Sequence, residues 1–219
     1  MNMANSIFDW NEFKLAISYL KKGIDELYFR DVIRAATDKS VLKFDNETIN
    51  ILIEINDYLA KNLERLSDKI EGEYNGRINE LGNYIEAIVK TEINRLPNIT
   101  CATPTLKNGT AQSTGYPDYI IQSNDNTIYA DVKIYQEKTL NSTLRSFYYQ
   151  PTNKVKILSD APHCLIGFEI KSLGGNNNKP FKIIGYRIVD LYDLKMNFKA
   201  EFNADNIEVY SQKTLFASK

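Results

Sequence analysis

The apolar residues of this chain change period at Pro97, and that change restricts the fold more than any other feature. Before it, apolar side chains recur every three or four positions: Phe13, Ile17, Leu20, Ile24 and Leu27, then Leu52, Ile55, Leu59, Leu63, Leu66 and Ile70, then a run from about Asn79 to Leu96. That spacing lays a stripe along one face of an α-helix. Asp9 with Glu12 resembles a capping box ahead of the first run, Asp45 is a cap for the second, and Pro97 stops the third. Beyond Pro97, residues 98–116 are rich in Thr, Gly, Asn and Ser and read as a loop. Runs with strand-like alternation follow at 118–122, 127–135, 163–170 and 181–189, with a polar, poorly periodic stretch at 136–160. The expected fold class is α+β: a small mixed β-sheet core flanked by helices, with a helical N-terminal lobe. Residues 1–75 form that helical subregion and 76–219 the sheet-bearing core, with no linker to separate them, so one compact domain is expected overall.

Several kinds of chemistry are excluded at once. The only histidine is His163, so a His-rich metal cage is impossible, and HExxH, Walker A and GxGxxG patterns are absent. His163 precedes the apolar run Cys164–Phe168, which suits a structural place at a strand edge. Cys101 and Cys164 stand far apart and read as buried small hydrophobes in a reducing cytoplasm. No apolar run approaches the roughly 18–20 residues that span a bilayer, and the first residues lack the pattern of a signal peptide. Net charge is −1, yet residues 133–182 carry eight Lys or Arg against three acids, a local +5. A basic segment in a neutral chain suits a nucleic-acid face, and chance clustering on a solvated surface explains it equally well.

The most informative segment runs from Tyr116 to Lys133. It reads as strand, turn, strand, with Asn124-Asp125 at the turn. If Ser123 pairs with Asn126, the same register sets Asp118 opposite Asp131, with Cβ atoms about 5 Å apart. Lys133 lies two residues after Asp131 and shares its face, while Ala130, Val132 and Ile134 turn into the core. Two like charges so placed destabilise the sheet unless something neutralises them, and a divalent cation such as Mg²⁺ prefers carboxylate oxygens. The alternative is a solvated hairpin that happens to carry two acids and a lysine.

At these residues the chain resembles the PD-(D/E)xK nucleases, whose signature is an acid after proline at one strand start and Asp or Glu, any residue, Lys on the next. Here these are Pro117-Asp118 and Asp131-Val132-Lys133. Many members add a helix acid in Gly-x-x-x-Glu, matched by Gly82 to Glu86, with Glu80 as the rival. A finer resemblance is to EcoRV-type restriction enzymes. It maps a minor-groove loop onto Gln112-Ser113-Thr114-Gly115-Tyr116, a Ser-Phe pair near phosphate onto Ser146-Phe147, and a recognition loop onto Gly174-Gly175-Asn176-Asn177-Asn178-Lys179. The resemblance covers roughly residues 80–182, and the first 75 residues match nothing in it.

The resemblance implies Mg²⁺-dependent hydrolysis of double-stranded DNA at a short, palindromic site, leaving 5′-phosphate ends. Asp118 and Asp131 would be the metal ligands, with Lys133 and Glu86 beside them. Arg145 and Lys154 are the expected phosphate contacts, and the asparagines of 176–178 would read A·T pairs, with Lys179 equally able to read a guanine. The expected partners are duplex DNA, a second copy of the chain in a homodimer, and a separate DNA methyltransferase, with residues 1–75 serving dimerisation or the clasping of DNA. Two alternatives stay open: a structure-selective repair or recombination nuclease with the same core, and a non-catalytic DNA-binding module.

Overall fold

A computed structural model describes residues 9–22, 27–139, 147–174 and 180–198. In chain order the elements are α1 (Trp10–Lys22), β1 (Leu27–Tyr28), α2 (Phe29–Thr37), β2 (Val41–Leu42), α3 (Asn46–Glu73), α4 (Ile78–Ile93), β3 (Thr100–Ala102), β4 (Tyr119–Ser123), β5 (Asn126–Tyr135), a 3₁₀ turn (Glu137–Thr139), β6 (Ala161–Ser172), β7 (Phe181–Asp190) and β8 (Lys195–Met196). The chain divides into two units, with boundaries at Leu27/Tyr28 and Leu194/Lys195. In the smaller unit, α1 starts where Asp9 Oδ1 accepts from the backbone of Asn11 (2.7 Å) and Glu12 (3.3 Å), the capping role its position suggested.

The larger unit, Tyr28–Leu194, is α+β, and its six-stranded sheet is mixed. Strands run in the order β2-β6-β5-β4-β3, with β7 paired to β6. The β4–β5 and β6–β7 pairs are antiparallel hairpins, whereas β5 and β6 are parallel. Parallel neighbours need a crossover, and residues 136–160 provide it, their described part holding a single 3₁₀ turn and no α-helix.

Long helices pack on one face of this sheet. α3 begins at Asp45, whose side chain accepts from Thr48 N (2.8 Å) while Thr48 Oγ1 accepts from Asp45 N (3.0 Å), a reciprocal cap. Its stripe of Ile51, Ile55, Leu59, Leu66 and Ile70 is buried, as are Leu81, Ile85 and Val89 of α4. They meet Tyr119 and Ile121 of β4, Ile128, Ala130 and Val132 of β5, and Cys164, Ile166 and Phe168 of β6. Alternation along each strand sends the intervening residues, among them Tyr129, Asp131, Lys133 and His163, to the opposite face. Both cysteines are buried and free, their thiols pushed up to about 12 by burial.

Several short elements escape the sequence pattern, and one reading is corrected: Leu27, counted in the first helical stripe, lies in β1, because α1 ends at Lys22. α2 is too short to show a long stripe, β2 is two residues, and β3 lies inside the polar run read as a loop from 98 to 116. The boundary at residue 75 also crosses continuous packing, because α3 contributes to the same core as the sheet. Among the described residues no helix is long and apolar enough to cross a membrane.

Candidate active site

The site begins with the β4–β5 turn. Asn124 adopts φ 50°, a left-handed conformation that asparagine tolerates, and closes the hairpin with Ser123 opposite Asn126. The pairing runs back to Tyr119 opposite Ala130, so Asp118 and Asp131 come next in register. Asp118 Oδ2 accepts from Val132 N at 2.8 Å, which ties the start of one strand to the middle of the other. Lys133 Nζ lies 3.7 Å from the same oxygen and forms a short ion pair with Asp131 Oδ2. It also donates to Val132 O at 3.0 Å.

Burial makes this trio unusual. Asp131 is only 2 % exposed, and its Oδ2, though ion-paired, lacks a directed hydrogen bond. Burial first and the Asp118 charge second push its carboxyl up to about 7. Burial also works against the Lys133 ammonium, but the charges of Asp131 and Asp118 outweigh it and hold that group above its ordinary range. Opposite Lys133 on β6 stands Gly167, where a Cβ would lie 3.3 Å from Leu165 and from the Tyr135 ring. A larger residue there would require those side chains to give way.

Of the two helix acids, Glu86 answers to this centre. Its half-buried carboxyl is lifted by burial and then by Asp118, while Lys90, Lys133 and Lys156 pull it down. Tyr119, the residue after Asp118, donates its hydroxyl to the Glu86 carbonyl and pins that turn of α4 to β4. Glu80 is exposed.

Behind Asp118 lies an anchor that the sequence did not disclose. Lys156, 3 % exposed, donates to the carbonyls of Gln112 (3.2 Å), Gly115 and Pro117. Burial presses its ammonium below lysine's ordinary range, against the opposing pull of Asp118, Asp131 and Glu86. Three carbonyl dipoles and nearby carboxylates thus hold a buried cation against the loop that ends at Asp118. His163 supports the same loop: its Nδ1 hydrogen-bonds the Tyr116 hydroxyl at 2.7 Å, and its ring stacks on Tyr116. Burial pushes the imidazole down to about 3, so it is neutral, and its place is structural, as expected, but in a strand interior.

The remaining sequence candidates divide. Gln112 and Thr114 lie with Lys154 around one cleft, although about 40 residues separate them in the chain. The Gln112 amide is turned back onto Thr114, donating to its hydroxyl, and Ser113 is exposed. Gly174 (φ 84°) starts the turn out of β6, and Leu173 N donates to Pro180 O (2.9 Å) across its base. Arg145, Ser146, Gly175, Asn176, Asn177, Asn178 and Lys179 lie outside the described residues. The basic segment does not form one face: Lys156 is interior, and Lys182 pairs with Glu71 at 3.1 Å.

Comparison with known proteins fixes the family. A model of the type II restriction enzyme MjaV family matches residues 23–213. The chain belongs to that family. A relative described as type II restriction enzyme MjaV, from Methanocaldococcus jannaschii, is 30% identical over 227 residues, covering 96% of each chain. The protein is therefore a type II restriction enzyme, a site-specific deoxyribonuclease acting on double-stranded DNA. Of the readings open to the sequence, membership selects restriction over structure-selective repair and over a non-catalytic module.

Proposed function

We propose that this restriction enzyme is a Mg²⁺-dependent nuclease of the PD-(D/E)xK type, with Asp118, Asp131, Lys133 and Glu86 at its reactive centre. The observation that carries the reading is the buried Asp131 carboxylate, in register with Asp118 and bridged to it by Lys133. A stable fold gains nothing from placing two acids and an amine on the buried side of a strand, whereas catalytic centres use such groups.

The donor set fits Mg²⁺. Two carboxylates supply hard oxygens, the buried Asp131 Oδ2 lacks a directed hydrogen bond, and the contacts of Asp118 run through Oδ2, leaving Oδ1 for a ligand. Among the described residues no three His, Cys, Asp or Glu gather into a cage. Mg²⁺ does not require one, because it keeps waters and takes one or two carboxylates together with substrate phosphate oxygens. When bound, it supplies a hydroxide near neutral pH and neutralises charge on the phosphoryl group.

The chain's own residues do the rest. Val132 N–H fixes the Asp118 carboxylate, so the two acids keep their spacing as substrate enters. The Lys133 ammonium stands where it can orient the attacking water or meet negative charge that grows in the transition state. Glu86, held above its ordinary range by burial and by Asp118, would accept a proton from that water. Cleavage of the bond to the 3′-oxygen leaves 5′-phosphate and 3′-hydroxyl ends. The two strands of a palindromic site call for two copies of the chain, hence a homodimer, and the host's own DNA calls for a methyltransferase with the same target.

The direct test is to digest a plasmid of known sequence with Mg²⁺ or with chelator, then map and label the ends. The proposal expects cutting only with the divalent ion, at a two-fold symmetric site, with ligatable 5′-phosphates. Cutting in the presence of chelator would refute metal dependence, and 3′-phosphate ends would refute the assignment of the leaving oxygen.

A further inference from the structure

We infer that the cleft between the Gln112–Tyr116 loop and the segment from Tyr148 to Ile157 is a base-reading subsite for DNA beside the scissile phosphate, with Gln150 and Asn153 as specificity-determining residues. The inference rests on the catalytic centre proposed above. The cleft measures about 500 Å³, within the roughly 300–1,000 Å³ of clefts that take small organic ligands. It adjoins the carboxylates at two points. Lys156, in its lining, holds the Pro117 carbonyl one residue before Asp118. Tyr148, also in its lining and 54 % exposed, is near enough to act electrostatically on Lys133.

The lining has the chemistry of a nucleobase rather than of a phosphate. No acidic side chain lines it, in a chain with 28 acids. A phosphate site draws clustered cations, yet here the Lys156 ammonium is already engaged by three carbonyls, and only Lys154 remains as an exposed charge. What the cleft offers instead is amides and aromatic rings. An amide presents a donor and an acceptor side by side, the pattern that base edges complement, and an aromatic face can stack on a base.

The three amides are not equivalent. That of Gln112 is bound to Thr114 within its own loop. Those of Gln150 and Asn153 are exposed, with no hydrogen-bond partner among the described residues. The loop facing them is held by Lys156 and by the Tyr116–His163 bond, so the wall is pre-organised and little ordering is required on binding.

The test uses the full chain and a panel of duplexes in which each base pair of the mapped site is altered singly. Competition binding without Mg²⁺ and cleavage with Mg²⁺ are measured for the parent, Gln150→Ala and Asn153→Ala. The expected result is a loss of discrimination of roughly ten- to a hundredfold at one base-pair position per variant, with the other positions read as before. Gln150→Met and Asn153→Leu keep the bulk and remove the amide, so they must show the same loss if either alanine variant folds poorly. Parental discrimination at every position in all four variants would overturn the inference. So would a uniform loss of affinity for all sequences, which would make these residues backbone contacts. Because the binding arm needs no catalysis, a wrong assignment of Asp118 and Asp131 would leave its answer intact.

Discussion

Asp131→Asn should make the metal-free enzyme more stable at pH 8 while abolishing cleavage. The substitution keeps the shape of a side chain that is 2 % exposed and removes the charge that burial and Asp118 oppose. A folded-state carboxyl titrating at about 7 instead of its ordinary 3.8 binds a proton that the unfolded chain has already lost. Its contribution to stability is therefore fully present below about pH 4 and is lost as pH rises through about 7. At about 1.4 kcal/mol per pH unit, that loss is about 4 kcal/mol. Not all of it returns on substitution, because Lys133 gives up its short ion pair and keeps only Asp118 at 3.7 Å. A gain of about 1–3 kcal/mol remains, or roughly 2–12 °C in Tm for a chain of this length. Denaturant unfolding at pH 8 and pH 5, with chelator throughout, measures it. The gain should shrink towards pH 5, where the parent carboxyl is itself protonated. A variant less stable than the parent at pH 8, or a difference independent of pH, refutes the argument.

Lys133, Lys156, Lys154 and the asparagines of 176–178 give further expected outcomes. Lys133→Ala should keep DNA affinity and lose turnover, since its charge serves the transition state, and binding isotherms beside single-turnover rates separate the two. Lys156→Met should destabilise the fold by about 2–4 kcal/mol by stranding the carbonyls of Gln112, Gly115 and Pro117, with greater proteolytic susceptibility of that loop. Lys154→Ala should weaken binding to all sequences alike and lower the slope of log affinity against log salt by about one, whereas Asn176→Ala, Asn177→Ala or Asn178→Ala should weaken cognate cleavage at A·T positions.

Much of this was legible in the sequence because single local rules governed it. One turn, Asn124-Asp125, fixed the pairing of Asp118's strand with Asp131's, and period-two alternation then sent Lys133 to the same side. The stripes of α3 and α4 were plain because their helices are long, while nine residues in α2 and three in β3 gave too few repeats to show. Lys156 was hidden for a different reason. It and Lys154 stand two apart in a polar, aperiodic run, and only the tertiary fold sends one inward to three carbonyls and leaves the other in solvent. Counting both as surface charge overstated the basic face. Gln150 and Asn153 were passed over likewise, since no local pattern marks an amide that faces a distant loop.

The central claim is that Asp118 and Asp131 form one reactive centre with Lys133. Single-turnover cleavage of a duplex carrying the mapped site, by the parent, Asp118→Ala and Asp131→Ala at saturating Mg²⁺, tests it most directly. Both variants should remain folded in chelator, bind the duplex and leave it uncut over the time in which the parent finishes. Cleavage at the parental rate by either folded variant would contradict the account.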